Sequence, residues 1–155
     1  MRDLGGRAPN WGYTESVLVD GDQVVCTPGG SRGAVAALDK KTGKLLWQSK
    51  DFTDPAQYSS LVAAEHNGRR QYIQLTQQSL VGVSAKDGAV FWRTGWTGRT
   101  AVIPTPIFKD GNEVSRFGQQ IQRFACLYTG KVSNFISYPP NKYFQSPIDL
   151  MPHDV

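Results

Sequence analysis

The stretch Ala37-Leu38-Asp39-Lys40-Lys41-Thr42-Gly43-Lys44-Leu45-Leu46-Trp47 decides the fold, because a weaker copy returns at Gly82-Val83-Ser84-Ala85-Lys86-Asp87-Gly88-Ala89-Val90-Phe91-Trp92. Trp47 and Trp92 lie 45 positions apart (92 − 47), and Gly43 and Gly88 keep the same separation. In the first copy an apolar strand, Ala34 to Asp39, runs into the turn Lys40-Lys41-Thr42-Gly43, where glycine takes a positive φ without steric cost, and a second strand, Lys44 to Gln48, leaves it.

Upstream of this pair, Ser16 to Val19 and Gln23 to Thr27 read as a hairpin around Asp20-Gly21-Asp22, and Pro28 to Gly33 is a loop. Four antiparallel strands are thereby complete by residue 49. Downstream the order repeats: a strand at Tyr58 to Ala64, a turn at Asn67-Gly68, an alternating strand at Gln71 to Thr76 with Ile73 and Leu75 on one face, then strands at Leu80 to Ser84 and Ala89 to Arg93. A period of 45 with four short strands suits one propeller blade. A third unit starts on schedule at Ile103 to Phe108, with Lys109-Asp110-Gly111 matching Val19-Asp20-Gly21. The motif does not return after that: one period beyond Trp92 stands Ser137, and all four tryptophans precede residue 97.

Composition narrows the class. The chain has 155 residues, 39% hydrophobic and 19% charged, enough apolar content for a core. Its 16 glycines and 9 prolines favour short strands and many turns over long helices. The formal charge of +4 is carried by scattered residues and by isolated pairs such as Lys40-Lys41 and Arg69-Arg70, with no basic stripe interleaved with aromatics, so a nucleic-acid partner is not expected. No segment approaches the roughly 18 uninterrupted apolar residues of a membrane span, and Met1 to Arg7 lack the apolar core of a secretory signal. Cys26 and Cys126 form neither a CxxC nor an adjacent pair, and a disulfide between them stays open on sequence grounds. His66 and His153 stand in no metal-ligand spacing, and Gly29 to Gly33 lack the Lys-Ser/Thr chemistry of a phosphate loop. Neither a catalytic residue nor a metal site is expected.

The pattern Ala37-x-Asp39-x-x-Thr42-Gly43-x-x-x-Trp47 resembles the tryptophan-docking motif of PQQ-like (quinoprotein-like) β-propellers, and the flanking strands follow that blade's order over roughly residues 11 to 111. The resemblance implies an all-β partial propeller of four-stranded antiparallel blades, at about 11–49 and 58–93, with a third begun at 103–111. Residues 112–155 are expected to be an irregular or non-homologous tail, with Ser146-Pro147-Ile148-Asp149 able to cap one helical turn. In such blades the first strand lines the central funnel and the fourth the outer rim. Gly43, Trp47, Gly88 and Trp92 are then structural: Trp47 is expected to pack on the Gly88 turn of the next blade with its indole N–H bonded to backbone.

Residues that reach the funnel face are the binding candidates, namely Trp11, Tyr13, Glu15, Phe52, Tyr58, Trp96 and Arg99. The expected function is a non-catalytic binding or scaffolding module, part of a longer protein, for a protein, peptide or carbohydrate ligand, with no cofactor. One alternative is a piece of a PQQ-dependent dehydrogenase-like quinoprotein, which would need pyrroloquinoline quinone and Ca²⁺. Another is a truncated or frameshifted product without independent function. Propellers close with about four to eight blades, so the missing blades are expected from other chains or from a longer sequence. The resemblance also implies a periplasmic or secreted setting.

Overall fold

The computed structural model describes residues 1–95, 97–98 and 101–109, and the strand backbones of 112–116, 123–128 and 131–137. Among the described residues a 3-10 turn at Arg2–Leu4 precedes twelve strands: β1 Leu18–Asp20, β2 Gln23–Cys26, β3 Ala36–Asp39, β4 Leu45–Gln48, β5 Val62–His66, β6 Arg69–Leu75, β7 Ser79–Ser84, β8 Val90–Gly95, β9 Ile107–Lys109, β10 Asn112–Arg116, β11 Arg123–Tyr128 and β12 Lys131–Ser137. They form three four-stranded sheets in sequence order, each an antiparallel meander. The first strands of successive sheets touch, β1 against β5 and β5 against β9, which makes them the inner wall from which the sheets radiate.

The sequence places the eight strands of the first two sheets to within a few residues, with β1 and β5 beginning late. The reason lies in where their first amides bond. Ser16 donates its N–H to Ser60 Oγ at 2.9 Å, and Tyr58 donates to the Val102 carbonyl at 3.1 Å, so these residues join neighbouring segments instead of their own hairpins. The tail differs more. In place of irregular structure from residue 112, the backbone pairs β10, β11 and β12 onto β9, with Phe124 opposite Ile136 and Ala125 opposite Phe135. β11 and β12 are rich in the aromatic and β-branched residues that suit strands, so strand formation outlasts the Asp-Thr-Gly-Trp signature. The helical turn expected at Ser146 lies outside the described residues.

Within each of the first two sheets the repeat has the same fine structure. The Asp39 carboxylate accepts from the N–H groups of Lys41 and Thr42 and from Thr42 Oγ1, closing the turn, while Gly43 N–H returns to the Asp39 carbonyl. In the second copy Ser84 stands where Asp39 stood and Asp87 where Thr42 stood. Ser84 Oγ accepts from Lys86 N–H, and a side-chain bond from Ser84 holds the Asp87 carboxyl below its usual value. Donor and acceptor have changed places, which is why the second copy reads as weak although its turn closes identically, Gly88 N–H to the Ser84 carbonyl at 2.9 Å. Both outer strands also carry a β-bulge at the same place, after the pairs Ala37–Trp47 and Gly82–Trp92, which leaves Leu46 and Phe91 as the extra residues.

The alternation of each strand gives the middle sheet two buried faces. Tyr72, Val81, Val83 and Ala85 pack with Val25, Ala34, Val35, Ala37 and Phe52 of the first sheet and its connector. Ile73, Leu75 and Leu80 on the opposite face pack with Val102 and the half-buried Phe108 of the third. Burying each such aliphatic side chain stabilises by about 1.5–3 kcal/mol. An ion pair ties the first two sheets: Arg70 donates to both carboxylate oxygens of Asp20, at 3.1 and 2.8 Å, and Tyr72 Oη donates to Asp20 at 2.8 Å. Arg70, with help from Tyr72, holds the Asp20 carboxyl low.

Candidate functional site

Two arrangements of side chains stand out, one between the sheets and one at the inner wall.

Between the sheets, Trp47 leaves β4 toward the second sheet and stacks on Tyr72, with ring centroids 6.1 Å apart and planes inclined by 20°. Its six-membered ring lies on Gly88, where φ is 74° and an added Cβ would come within 2.5 Å of Trp47 Cε3. The indole N–H does not bond to backbone as expected; it donates to Gln23 Oε1 at 3.2 Å. Trp92 repeats the choice, donating to Gln71 Oε1 at 2.8 Å. Each acceptor sits on the second strand of its own sheet, Gln23 as the first residue of β2 and Gln71 as the third of β6. The signal was present in the sequence as a glutamine in each copy, 24 residues before Trp47 and 21 before Trp92, but the changed spacing hides it. Trp92 also lies across Gly82, its cross-strand partner, where a Cβ would meet the indole at 2.2 Å.

At the inner wall, the segments that lead into β1, β5 and β9 run side by side. Trp11 N–H donates to Tyr58 Oη at 3.3 Å, and Thr14 Oγ1 donates to the Tyr58 carbonyl at 3.5 Å. Further along, Ser59 Oγ donates to the Pro104 carbonyl at 2.8 Å. These contacts join residues 44 to 47 apart, one repeat period, so equivalent pieces of successive sheets are laid against each other. Trp11 is 63% exposed and rests on Tyr58, ring centroids 5.6 Å apart and planes tilted by 46°. Val17 and Ile103 are exposed on the same segments.

The structure divides the seven candidate residues. Trp11 and Tyr58 come together, whereas Tyr13 and Glu15 bond to Pro28 and Thr27 after β2 of the first sheet. Tyr13 is half-buried, its hydroxyl donating to the Pro28 carbonyl at 3.0 Å. Phe52 does not belong to this face: it is fully buried in the core between the first two sheets, with the Arg93 guanidinium 5.9 Å from its ring centre. Its connector turns inward because the Ala34 N–H and Ser49 Oγ bond to the Phe52 carbonyl. Trp96 and Arg99 lie outside the described residues.

Glu15 is the electrostatically unusual member. Its Oε1 accepts from Thr27 N–H at 2.5 Å, while Oε2 is buried. Burial raises its pKa, and the bonds from Thr27 oppose that only in part. Nearby, burial and then the Glu15 charge push the Cys26 thiol up to about 11, so it stays protonated at neutral pH. A carboxyl with a raised folded pKa weakens the fold when ionised, and the penalty fades as pH falls through that raised value and is gone below the unfolded value of about 4. Glu15→Gln keeps the acceptor for Thr27 and removes the charge. Its melting midpoint is expected above the parent's at pH 7 and equal to it near pH 4; an unchanged midpoint at pH 7 would show that Glu15 is adequately solvated.

The fold and these sites define a propeller segment built of PQQ-like blades. Residues 7–126 match the family model described as outer membrane protein assembly factor BamB, and the chain belongs to that family. Residues 103–155 match a second family model, that of the 5′ nucleotidase family, so that 103–126 fall within both. No significant match to a curated protein was found. Among solved structures, the chain is similar to BamB from Moraxella catarrhalis, with a TM-score of 0.60 and 17% identity; the match covers 77% of this chain and 35% of that one, a likeness of fold. Among the described residues no helix is long and apolar enough to cross a membrane.

Proposed function

We propose that this chain is a non-catalytic binding module that takes up polypeptide at its inner wall, at the periplasmic side of outer membrane protein assembly. The observation that carries the reading is Trp11: a large ring, 63% exposed, that rests on the Tyr58 ring while the Trp11 main-chain N–H bonds to Tyr58 Oη. Rigid aromatic side chains give contact area at low conformational cost and dominate interface energetics. Val17 and Ile103, exposed on the segments that lead into β1 and β9, add apolar side chains at this wall, which suits an extended polypeptide better than a carbohydrate. Membership of the outer membrane protein assembly factor BamB family supports the setting, assembly of outer membrane proteins. On this reading Trp47 and Trp92 are docking residues between blades and take no ligand, and no quinone is used. Calorimetry with pyrroloquinoline quinone and Ca²⁺ tests the last point, and a micromolar isotherm would put the dehydrogenase-like reading ahead.

The match of residues 103–155 to a family model favours a genuine coding sequence there over a shifted frame, because out-of-frame residues inherit no family pattern.

The test uses an outer membrane β-barrel polypeptide, unfolded in urea and diluted into the chain, with binding followed by anisotropy of a dye on the probe. Trp11→Ala is expected to weaken binding by about 10- to 30-fold and to leave the melting midpoint unchanged, since its ring is mostly in water. Equal binding by the variant, or no binding by the parent at micromolar concentration, rejects the site.

A further inference from the structure

The segment that carries Trp11 is fastened on two sides, and one of its fastenings is a carboxyl group. Toward the second sheet, Trp11 N–H donates to Tyr58 Oη, Thr14 Oγ1 to the Tyr58 carbonyl and Ser16 N–H to Ser60 Oγ. Toward its own sheet, Tyr13 Oη donates to the Pro28 carbonyl at 3.0 Å, and Glu15 Oε1 accepts from Thr27 N–H at 2.5 Å, both just past the end of β2. The fit on that side is close: Gly6 lies against the Tyr13–Pro28 bond, where an added Cβ would stand 2.7 Å from both oxygens. Tyr13 and Glu15 thus hold from one side the same few residues that Tyr58 and Ser60 hold from the other. A change at Glu15 is transmitted to the inner wall.

Glu15 is a poor fastening once ionised. Its Oε1 has the Thr27 amide, but Oε2 is buried without a hydrogen-bond partner, as is the Thr27 hydroxyl. The ion pairs among the described residues, Lys40–Asp22, Arg70–Asp20 and Arg93–Asp54, bring it no cation. A buried carboxylate left in this state favours keeping its proton. The titratable groups that face it supply no positive charge. Tyr13 on its own segment and Cys26 at the end of β2 are each raised by burial and then by the Glu15 charge, and both stay neutral at pH 7. The amino group of Met1 acts on Cys26 in the opposite sense.

We propose that Glu15 is a proton-operated latch for the inner wall: with its carboxyl protonated, residues 11–16 seat between Thr27 and Tyr58, and ionisation releases them, so that the pose of Trp11 follows pH. The direction comes from linkage. The seated segment binds the proton more tightly than the released one, in which Glu15 titrates at its ordinary value of about 4.3. Ionisation therefore opposes seating in full above the seated group's raised value. The opposition declines as pH falls between the two values and is gone below the ordinary one. With one proton exchanged, the seating constant changes by at most about tenfold per pH unit inside that window. Seating needs no ligand; that polypeptide uptake at Trp11 strengthens on the acid side rests on the function proposed above.

Amide hydrogen exchange read by NMR on the intact chain, corrected for the intrinsic rate at each pH, tests the latch. The probes are the N–H groups of Trp11, Ser16 and Thr27, with Ser49 N–H, bonded to the Val35 carbonyl, as the reference within the first sheet. Relative to Ser49, protection of the three is expected to rise by up to about tenfold per pH unit as pH is lowered from about 8 toward about 4. Glu15→Gln keeps the acceptor for Thr27, and its protection is expected to be high and flat over the same range. Glu65→Gln alters an exposed carboxyl on β5 and is expected to reproduce the parent's profile. Flat protection in the parent overturns the proposal. A slope that survives in Glu15→Gln also overturns it, by assigning the proton to another group. Anisotropy of the labelled barrel polypeptide at the two ends of the range separates the linked claim: binding that ignores pH while exchange follows it rejects the coupling to uptake and leaves the latch standing.

Discussion

Trp47→Ala is expected to lower the free energy of unfolding by about 3 kcal/mol, the lower end for removing a large aromatic ring because this one is half-buried. The ring fills the space between Tyr72 and the Gly88 turn, so its removal leaves a cavity lined by groups that cannot close over it. Gly88 cannot follow, because its backbone is fixed by the bond to the Ser84 carbonyl. Removal also strips Gln23 Oε1 of its donor, a smaller loss since Gln23 is half-buried and its amide still donates to the Ala85 carbonyl. Trp47→Phe should recover part of the loss, restoring apolar volume without the donor. Urea unfolding followed by circular dichroism measures both. If Trp47→Ala shifts the transition by less than about 1 kcal/mol, the ring is not the anchor between these sheets and the docking role fails.

The second large effect is at Asp54, which no motif marks. Its carboxylate is buried and accepts three short bonds: Thr76 Oγ1 and Ser79 Oγ donate to Oδ2 at 2.6 Å each, and Arg93 Nη2 donates to Oδ1 at 2.6 Å. One side chain of the connector after the first sheet thus fastens the β6–β7 turn and the outer strand β8 of the second. Asp54→Ala is expected to destabilise by about 3 kcal/mol, the cost of leaving buried hydroxyl donors and a guanidinium without their acceptor. The figure stands at the lower end for a broken buried pair because the Arg93 side chain is 42% exposed and regains water. Asp54→Asn, which keeps an acceptor oxygen but not the charge, should fall between. Thermal unfolding of the two variants beside the parent gives the order, and an Asp54→Ala protein as stable as the parent would show the clasp to be dispensable.

How much was legible in the sequence varies by kind of feature. The turn at Asp39 to Gly43 was readable because every bond that closes it joins residues at most five apart, and residue type alone specifies such geometry. The Ser84–Asp87 version was half-readable: glycine and tryptophan survived, and the exchange of donor and acceptor concealed the rest. The glutamine acceptors were not readable, since indole and amide meet across the width of a sheet and the hairpin between them differs in length in the two copies. The strands past residue 111 were missed because the repeat signature was used as the marker of a sheet. Backbone pairing needs only strand-forming residues in register.

By itself the sequence determined the period of 45, the four-strand unit, the closing turn and the position of Trp47 and Trp92 on fourth strands, all set by local chemistry and by spacing along the chain. Tertiary structure alone decided which of several similar aromatics meet solvent. Trp11 and Phe52 looked alike as candidates for one face, yet one is held out on Tyr58 and the other is sealed beneath Arg93. The difference arises because burial is a property of what the neighbouring sheet places opposite a residue. The same reason separates Gly88, which lies under an indole, from Gly43, which has the same turn and backbone angle and open space above it.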